Sequence, residues 1–260
     1  MSFEQCLCFY LPNPALFTVS VIVPMVLAYL GLCVFRKIIP SHFLNQSHDV
    51  TGPFFSTLGT VYGIFLAFIV STTWQEFSNT QSNLVQEARY LADLYSATKA
   101  LPQPTQGELR MLLRKYRDSV VTDEWKTMAR GNASEETQKI LEQISEAYMR
   151  AKTRDTSDNI FLNQSIQGLS SIAGLRASRI DDSSSGLLPV LWIVLLVGGS
   201  VTVGFTFLFG AHNFKAQALM TVLLTGVICM SIFIIINLDF PFTGDTTVSP
   251  EAFQNIKMEK

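Results

Sequence analysis

The sequence predicts an all-α integral membrane protein with four transmembrane helices and a helical, water-facing domain inserted between the second and third. Three observations predict it. Four uncharged apolar runs, at 15–35, 54–74, 187–209 and 216–238, are each long enough to cross a hydrocarbon core of about 30 Å. Most of the 19 Lys and Arg and 21 Asp and Glu residues fall instead between Gln75 and Gly186. Within that polar stretch, apolar residues recur at helical spacing in single stripes, the pattern of helices that each bury one face. The resulting division is an N-terminal segment with spans one and two over 1–74, the helical domain over 75–186, spans three and four over 187–242, and a polar tail over 243–260.

The first run holds Pro24, which neighbouring helices tolerate in a membrane span, and it stops at Arg36-Lys37. Residues 1–14 carry one charge, Glu4, and lack the basic region of a cleavable signal, so the run reads as a retained span. A loop through His42 and His48 leads to the second run, which continues past Trp74 into a polar amphipathic segment with no proline until Pro102. One long helix from about Gly52 to Ala100 is expected there.

That helix presents three sides at 100° per residue. Ser56, Gly59, Gly63 and Ala67 form a small-residue track suited to helix packing in lipid. Thr57, Thr60, Ile64, Phe68, Ser71 and Gln75 form a second side. It reads either as an ordinary packing surface or as a pore lining, with hydroxyls at its ends and a dry constriction at Ile64 and Phe68. Phe55, Tyr62, Leu66 and Ile69 occupy the third.

In the polar domain, Leu84, Ala88, Leu91 and Tyr95 form the stripe of the first helix. Thr105-Gln106-Gly107-Glu108 fits a capping box for a second helix, carrying Leu109, Leu112, Leu113, Tyr116, Val120 and Met128 and ending at Gly131. Ser134 is placed to cap a third, with Ile140, Leu141, Ile144, Ala147 and Tyr148. A fourth begins near Ser157, with a stripe read as Leu162, Ile166, Leu169, Ala173 and Ile180. After the small-residue break at Ser183, Pro189 falls in the first turn of span three, where its missing N–H is harmless. A short link from Gly210 to Lys215 precedes span four. Four spans put both termini and the domain on one side, although the Lys and Arg near the span ends do not choose an orientation.

Catalytic signatures are missing. The chain has no P-loop, Gly-rich dinucleotide turn, H-E-x-x-H or G-x-S-x-G, and its three histidines lie in predicted loops. No catalytic residue, metal ligand or cofactor is therefore assigned, and an enzyme is not expected. Cys6-x-Cys8 lacks the second pair of ligands a zinc site needs, and Cys33 and Cys229 sit in apolar runs. Near-balanced charge gives no reason to expect nucleic acid as a partner. No ionisable residue lies inside a span, which argues against a proton- or sodium-coupled transporter. At the membrane border, Asp239 reads either as a solvated helix stop or as a partner for Arg176 or Arg179 that anchors the domain to the membrane part.

Several stretches together resemble the bestrophin-like membrane proteins of bacteria. They are Leu58-Gly59-x-x-x-Gly63-x-x-Leu66-Ala67-Phe68 with Trp74, then Glu87-Ala88, Asp123-Glu124-Trp125 and Arg176-x-x-Arg179. Leu188-Pro189-x-x-Trp192, Asp239-x-Pro241-Phe242-x-Gly244 and Val248-Ser249-Pro250-Glu251 complete the series, in order, from about Pro53 to Phe253. The family's distant likeness to true bestrophins implies an oligomeric ion channel, expected to be a homo-pentamer and to conduct inorganic anions. It further implies a multi-pass protein of the cell inner membrane, with the helical domain in the cytoplasm and lipid around the spans. On that likeness Ile64 and Phe68 correspond to neck positions, while Thr72 departs from an all-apolar neck and no acidic cluster suggests a calcium clasp. The alternative is a non-conducting scaffold or signalling component that binds a partner through its helical domain.

Overall fold

The computed structural model describes residues 10–38, 48–151, 156–208 and 213–258. Cys6, Cys8, His42, most of the link after Gly210 and the side chain of His48 lie outside the described residues. Among the described residues there are helices and no strands, and four of the helices are long and apolar enough to cross a membrane. The described residues form two compact units, one of residues 77–185 with the segment from Phe240 onward, the other of residues 10–76 with 186–239.

The membrane unit is built from three helices and half of a fourth. Helix α1 runs Asn13–Ile38, with one π turn at Thr18–Ile22 that ends two residues before Pro24. Helix α2 runs His48–Ala97, four residues earlier than the expected start, with Pro53 inside it. Helices α7, Pro189–Phe207, and α8, Phe214–Asp239, complete the unit. Pro189 occupies the start of α7, where a helix has spare N–H positions. A buried cluster of Leu16, Ile69, Trp192, Leu195, Ile235 and Ile236 joins them. Polar groups inside are satisfied locally, as lipid requires: Arg36 and Gln217 share a hydrogen bond, Gln217 Nε2 donates to the Thr206 carbonyl at 2.9 Å, and Thr221 donates to Thr206 Oγ1 at 2.9 Å.

The helical unit takes the second half of α2 together with α3, Thr105–Ser119, a π turn at Val120–Glu124, α4, Trp125–Met128, α5, Glu135–Arg150, and α6, Thr156–Ser184. Leu84, Ala88, Leu91 and Tyr95 are all buried, as are Leu109, Leu112, Leu113, Tyr116, Val120 and Met128. Gly131 adopts a positive φ of 73° and donates to the Met128 carbonyl at 2.8 Å, ending α4 with a turn that a side chain would resist. Ser134 caps α5 by accepting from the Thr137 N–H at 3.3 Å.

Two local expectations are corrected. Thr105 is the first helical residue of α3, preceded by Pro104, and no side chain caps this end, so the capping box does not form. In α6 the buried stripe is Ser165, Leu169, Ile172, Arg176, Arg179 and Ser183, whereas Ile166 and Ala173 are exposed. The stripe is rotated because Arg176 and Arg179, expected at the membrane border as partners for Asp239, occupy core positions.

The segment after α8 is also deeper than its polarity suggested. Phe242, Val248 and Phe253 are buried in the core of the helical unit, the last of them on a short helix α9, Glu251–Gln254. Phe242 meets Trp125 edge-to-face at 5.4 Å, and Thr243 Oγ1 donates to the Ala129 carbonyl at 3.1 Å.

Candidate functional site

The apolar half of α2 is organised by which of its three sides the protomer covers. Tyr62, Ile69 and Thr73 are buried, so the third side, with Leu66 and Phe55 half-buried, is the packing face within the unit. Tyr62 fixes it. Its hydroxyl donates to the Leu195 carbonyl at 2.9 Å, and its ring lies where Cβ atoms on Gly198 and Gly199 would stand, at 2.8 and 2.9 Å from ring atoms and hydroxyl. Only glycines let α7 come this close.

The two remaining sides are open. Thr57, Thr60, Ile64, Phe68, Ser71 and Gln75 are all exposed in the protomer, with Ile64 and Phe68 each 67% exposed and one turn apart. Their hydroxyl neighbours are satisfied inside the helix: Thr57 donates to the Pro53 carbonyl at 3.1 Å and Thr60 to that of Ser56 at 2.7 Å. Thr72, the position after Phe68 in the every-fourth series, donates to the Phe68 carbonyl at 3.0 Å and is half-buried. A hydroxyl so engaged still offers acceptor lone pairs outward while leaving no donor unmade. This side therefore carries hydroxyls, of which Thr57 and Thr60 face outward as acceptors, and two large apolar side chains, Ile64 and Phe68, interrupt it.

The small-residue track is open as well. Ser56, Gly63 and Ala67 are exposed and Gly59 is half-exposed, and a Cβ on Gly59 or Gly63 would meet nothing within 4 Å. Gly63, Ala67, Ser71 and Trp74 border an open cavity of about 430 Å³, closed on its other side by Ser231, Ile234 and Leu238 of α8.

The border residues take up other partners. Asp239 Oδ1 accepts from the Leu187 N–H at 2.7 Å, tying the end of α8 to the approach to α7. Arg176 and Arg179 lie inside the helical unit and hold two carboxylates there. Arg176 donates to Glu124 Oε1 at 2.6 Å through Nη2, to the Ser134 carbonyl and to Gln138. Arg179 grips Glu87 with Nε and Nη2 at 2.8 and 3.0 Å and reaches Glu124 Oε2 at 2.9 Å. Tyr116 donates to Glu87 Oε1 at 2.8 Å. Glu87 and Glu124 are fully buried, and Arg179 stands 5.8 Å from the ring centroids of both Trp125 and Phe253. Burial works against the Arg179 charge, yet Glu87, with Tyr116 and Glu124, holds its pKa above the ordinary range. Burial first, and then Glu87, pushes the Tyr116 phenol well above 10, so it stays a donor.

Sequence reasoning missed Glu87, Glu124, Tyr116 and Gln138 as members of one set. A signal existed. Glu87 falls on the stripe of Leu84, Leu91 and Leu94, and Glu124 on that of Val120 and Met128, so each carboxylate occupies a core position by spacing.

A family model for the bestrophin-like domain matches residues 22–253 of this chain. Among solved structures, the chain is similar to a bacterial bestrophin homologue from Klebsiella pneumoniae, at 16% identity over 90% of this chain and 94% of that one, with a TM-score of 0.67. A tyrosine-to-alanine variant of the Klebsiella pneumoniae homologue is similar at 15% identity over 90% and 95%, with a TM-score of 0.68. A leucine-to-threonine variant matches at 15% identity over 89% and 95%, with a TM-score of 0.66. At these identities the likeness speaks for the fold. No curated protein matches the chain in sequence.

Proposed function

The chain belongs to the bestrophin-like family, and on that premise we propose that it is an oligomeric membrane ion channel whose pore is lined by α2. The observation that carries this reading is the uncovered face of α2. In a protomer that buries Tyr62, Ile69 and Thr73, the side bearing Thr57, Thr60, Ile64, Phe68, Ser71 and Gln75 is left bare along its whole length. Copies arranged around an axis would turn that column inward. The adjacent track of Ser56, Gly59, Gly63 and Ala67, with its open cavity, suits a helix from a neighbouring copy.

In this arrangement Ile64 and Phe68 form a neck that stops ions by dewetting when narrow, and the hydroxyls of Thr57, Thr60 and Ser71 keep water at its mouths. The proposed permeant ions are inorganic anions and the proposed assembly is a homo-pentamer, both on family resemblance. The helical unit is taken as the water-facing, cytoplasmic part of an inner-membrane protein.

The test is flux through liposomes reconstituted with the purified oligomer. Ile64→Ala with Phe68→Ala should raise chloride flux. Leu219→Ala with Leu223→Ala, on exposed positions of α8, should leave it unchanged. If parent and neck variant pass neither chloride nor potassium, the channel reading fails and the scaffold reading replaces it.

A further inference from the structure

Helix α2 keeps one side covered well beyond its apolar half. Tyr62, Ile69 and Thr73, and further on Thr80, Glu87 and Leu91, are all buried. At 100° per residue these six lie within about 40° of the direction opposite Ile64. The bare side is therefore continuous as well. Beyond Gln75, the residues within about 40° of the Ile64 direction are Ser78, Ser82, Gln86, Arg89, Asp93 and Ser96, and every one of them is exposed.

Two charges stand on that side. From Thr57 to Ala97 the charged residues of α2 are Glu76, Glu87, Arg89 and Asp93. Glu87 is buried in its pairing with Arg179, and Glu76 lies about 120° from Ile64 around the helix. Arg89 and Asp93 remain, one turn apart, and neither is in an ion pair with another described residue. Their order agrees with this, because an acid that precedes a base at this spacing pairs better than a base that precedes an acid.

The two charges do not weigh equally. The arginine stem carries its charge farther from the helix axis than the short aspartate does, and a guanidinium is always protonated. Arg89 is also the first charge met along this side after Phe68, since Ser71, Gln75, Ser78, Ser82 and Gln86 are neutral. Rings of arginine in a pore favour anions, whereas an apolar neck has no charge with which to choose between ions of opposite sign.

We propose that Arg89 sets the ion preference of the pore. Copies of its guanidinium, gathered around the axis beyond the neck, concentrate inorganic anions and repel cations, and Asp93 opposes them from one turn further on. This rests on the reading of α2 as the pore lining, and it adds the residue that chooses the ion.

The experiment measures the reversal potential of the purified oligomer in planar bilayers under a KCl gradient, for the parent and for the Ile64→Ala, Phe68→Ala neck variant. Chloride preference is expected in both. Arg89→Gln should lower the chloride-to-potassium permeability ratio about threefold or more, since several charges act on one ion at once. Arg89→Glu should turn the preference toward potassium, Arg89→Lys should preserve it, and Asp93→Asn should raise it. Arg150→Gln, on an exposed α5 side chain paired with Glu108 at 3.3 Å, should change nothing. The parent's preference should also weaken between about 0.1 and 1 M salt, as the screening length shrinks from about 10 to 3 Å. Should Arg89→Gln fail to assemble, Asp93→Asn decides by the direction of its shift. A conducting protein that prefers potassium, or whose reversal potential ignores Arg89→Gln, Arg89→Glu and Asp93→Asn, overturns the role of Arg89 and leaves α2 as the pore lining. Silence of both parent and neck variant removes the pore reading itself, and the role of Arg89 with it.

Discussion

Replacing Arg179 by methionine should be among the most damaging single changes outside the membrane unit. The guanidinium makes three charge-assisted hydrogen bonds, at 2.8, 3.0 and 2.9 Å, to two carboxylates with no exposure to water. In Arg179→Met, Glu124 keeps Arg176, but Glu87 retains only the Tyr116 hydroxyl among its charge-stabilising contacts in this set. Breaking a buried pair from one side costs about 3–5 kcal/mol, because the remaining charge stays desolvated. For a chain of this size that corresponds to a fall in melting temperature of roughly 10 °C. Adding Glu87→Gln to Arg179→Met removes the stranded charge and should recover about half of the loss, since an apolar or neutral pair of similar volume is often no worse than the ions. Tryptophan fluorescence during a thermal melt in detergent reports it directly, as Trp125 lies against Arg179. A single variant melting within about 2 °C of the parent, or a double variant no better than the single, would refute the reasoning that the carboxylates depend on this arginine.

Three further outcomes follow from the same packing. Gly198→Ala should destabilise the protein by about 1–3 kcal/mol, since its Cβ would stand 2.8 Å from the Tyr62 ring, while Gly63→Ala, with nothing within 4 Å, should leave protomer stability unchanged in the same melt. Gly63→Leu, too bulky for close helix approach, should shift the size-exclusion profile of the oligomer in detergent. Leu91→Asp, on a fully buried position, should lower the melting temperature far more than Gln86→Asp on the exposed side of the same helix. For pH, the Tyr116 phenol keeps its proton in the folded state at values where the unfolded chain loses it. Its stabilising contribution is therefore complete below about pH 10 and declines above it, so the alkaline fall in melting temperature should be shallower in Tyr116→Phe than in the parent. Tyr148, pushed up to about 12 by burial, leaves part of that slope in place.

What the chain's pattern disclosed was decided by hydropathy. The four spans are visible because the hydrocarbon core penalises charge and requires a long apolar run, and the stripes of α2, α3 and α5 are visible because Leu, Ile and Tyr mark their own burial. The α6 stripe was misplaced for the same reason in reverse. Arg176 and Arg179 count as surface residues on any hydropathy scale, so Ile166 and Ala173 took the core positions in the reading while Ile172 holds one in the structure. Only the three-dimensional pairing with Glu87 and Glu124, 92 and 52 residues away in sequence, makes the arginines affordable inside. On α2 the open sides could be listed from the helical period, but which side the protomer covers rests on Tyr62 meeting Gly198 and Gly199, a contact 136 residues apart that no local pattern announces. The missing cap at Thr105 is a smaller case: the motif was present, and Pro104 started the helix one residue too early for it.

The burial of Phe242, Val248 and Phe253 in the helical unit sets an order of events during synthesis. Residues 77–185 leave the ribosome well before the segment that completes their core, and between the two lie the third and fourth spans. Domains ordinarily fold as they emerge, N-terminal parts first. Here the nascent unit must wait with Arg179 and Trp125 uncovered until both later helices have passed into the membrane machinery and Phe253 has followed. Closure of the helical core therefore reports that insertion is finished, and a chain stalled between residues 186 and 240 presents an unsealed hydrophobic surface to chaperones and proteases.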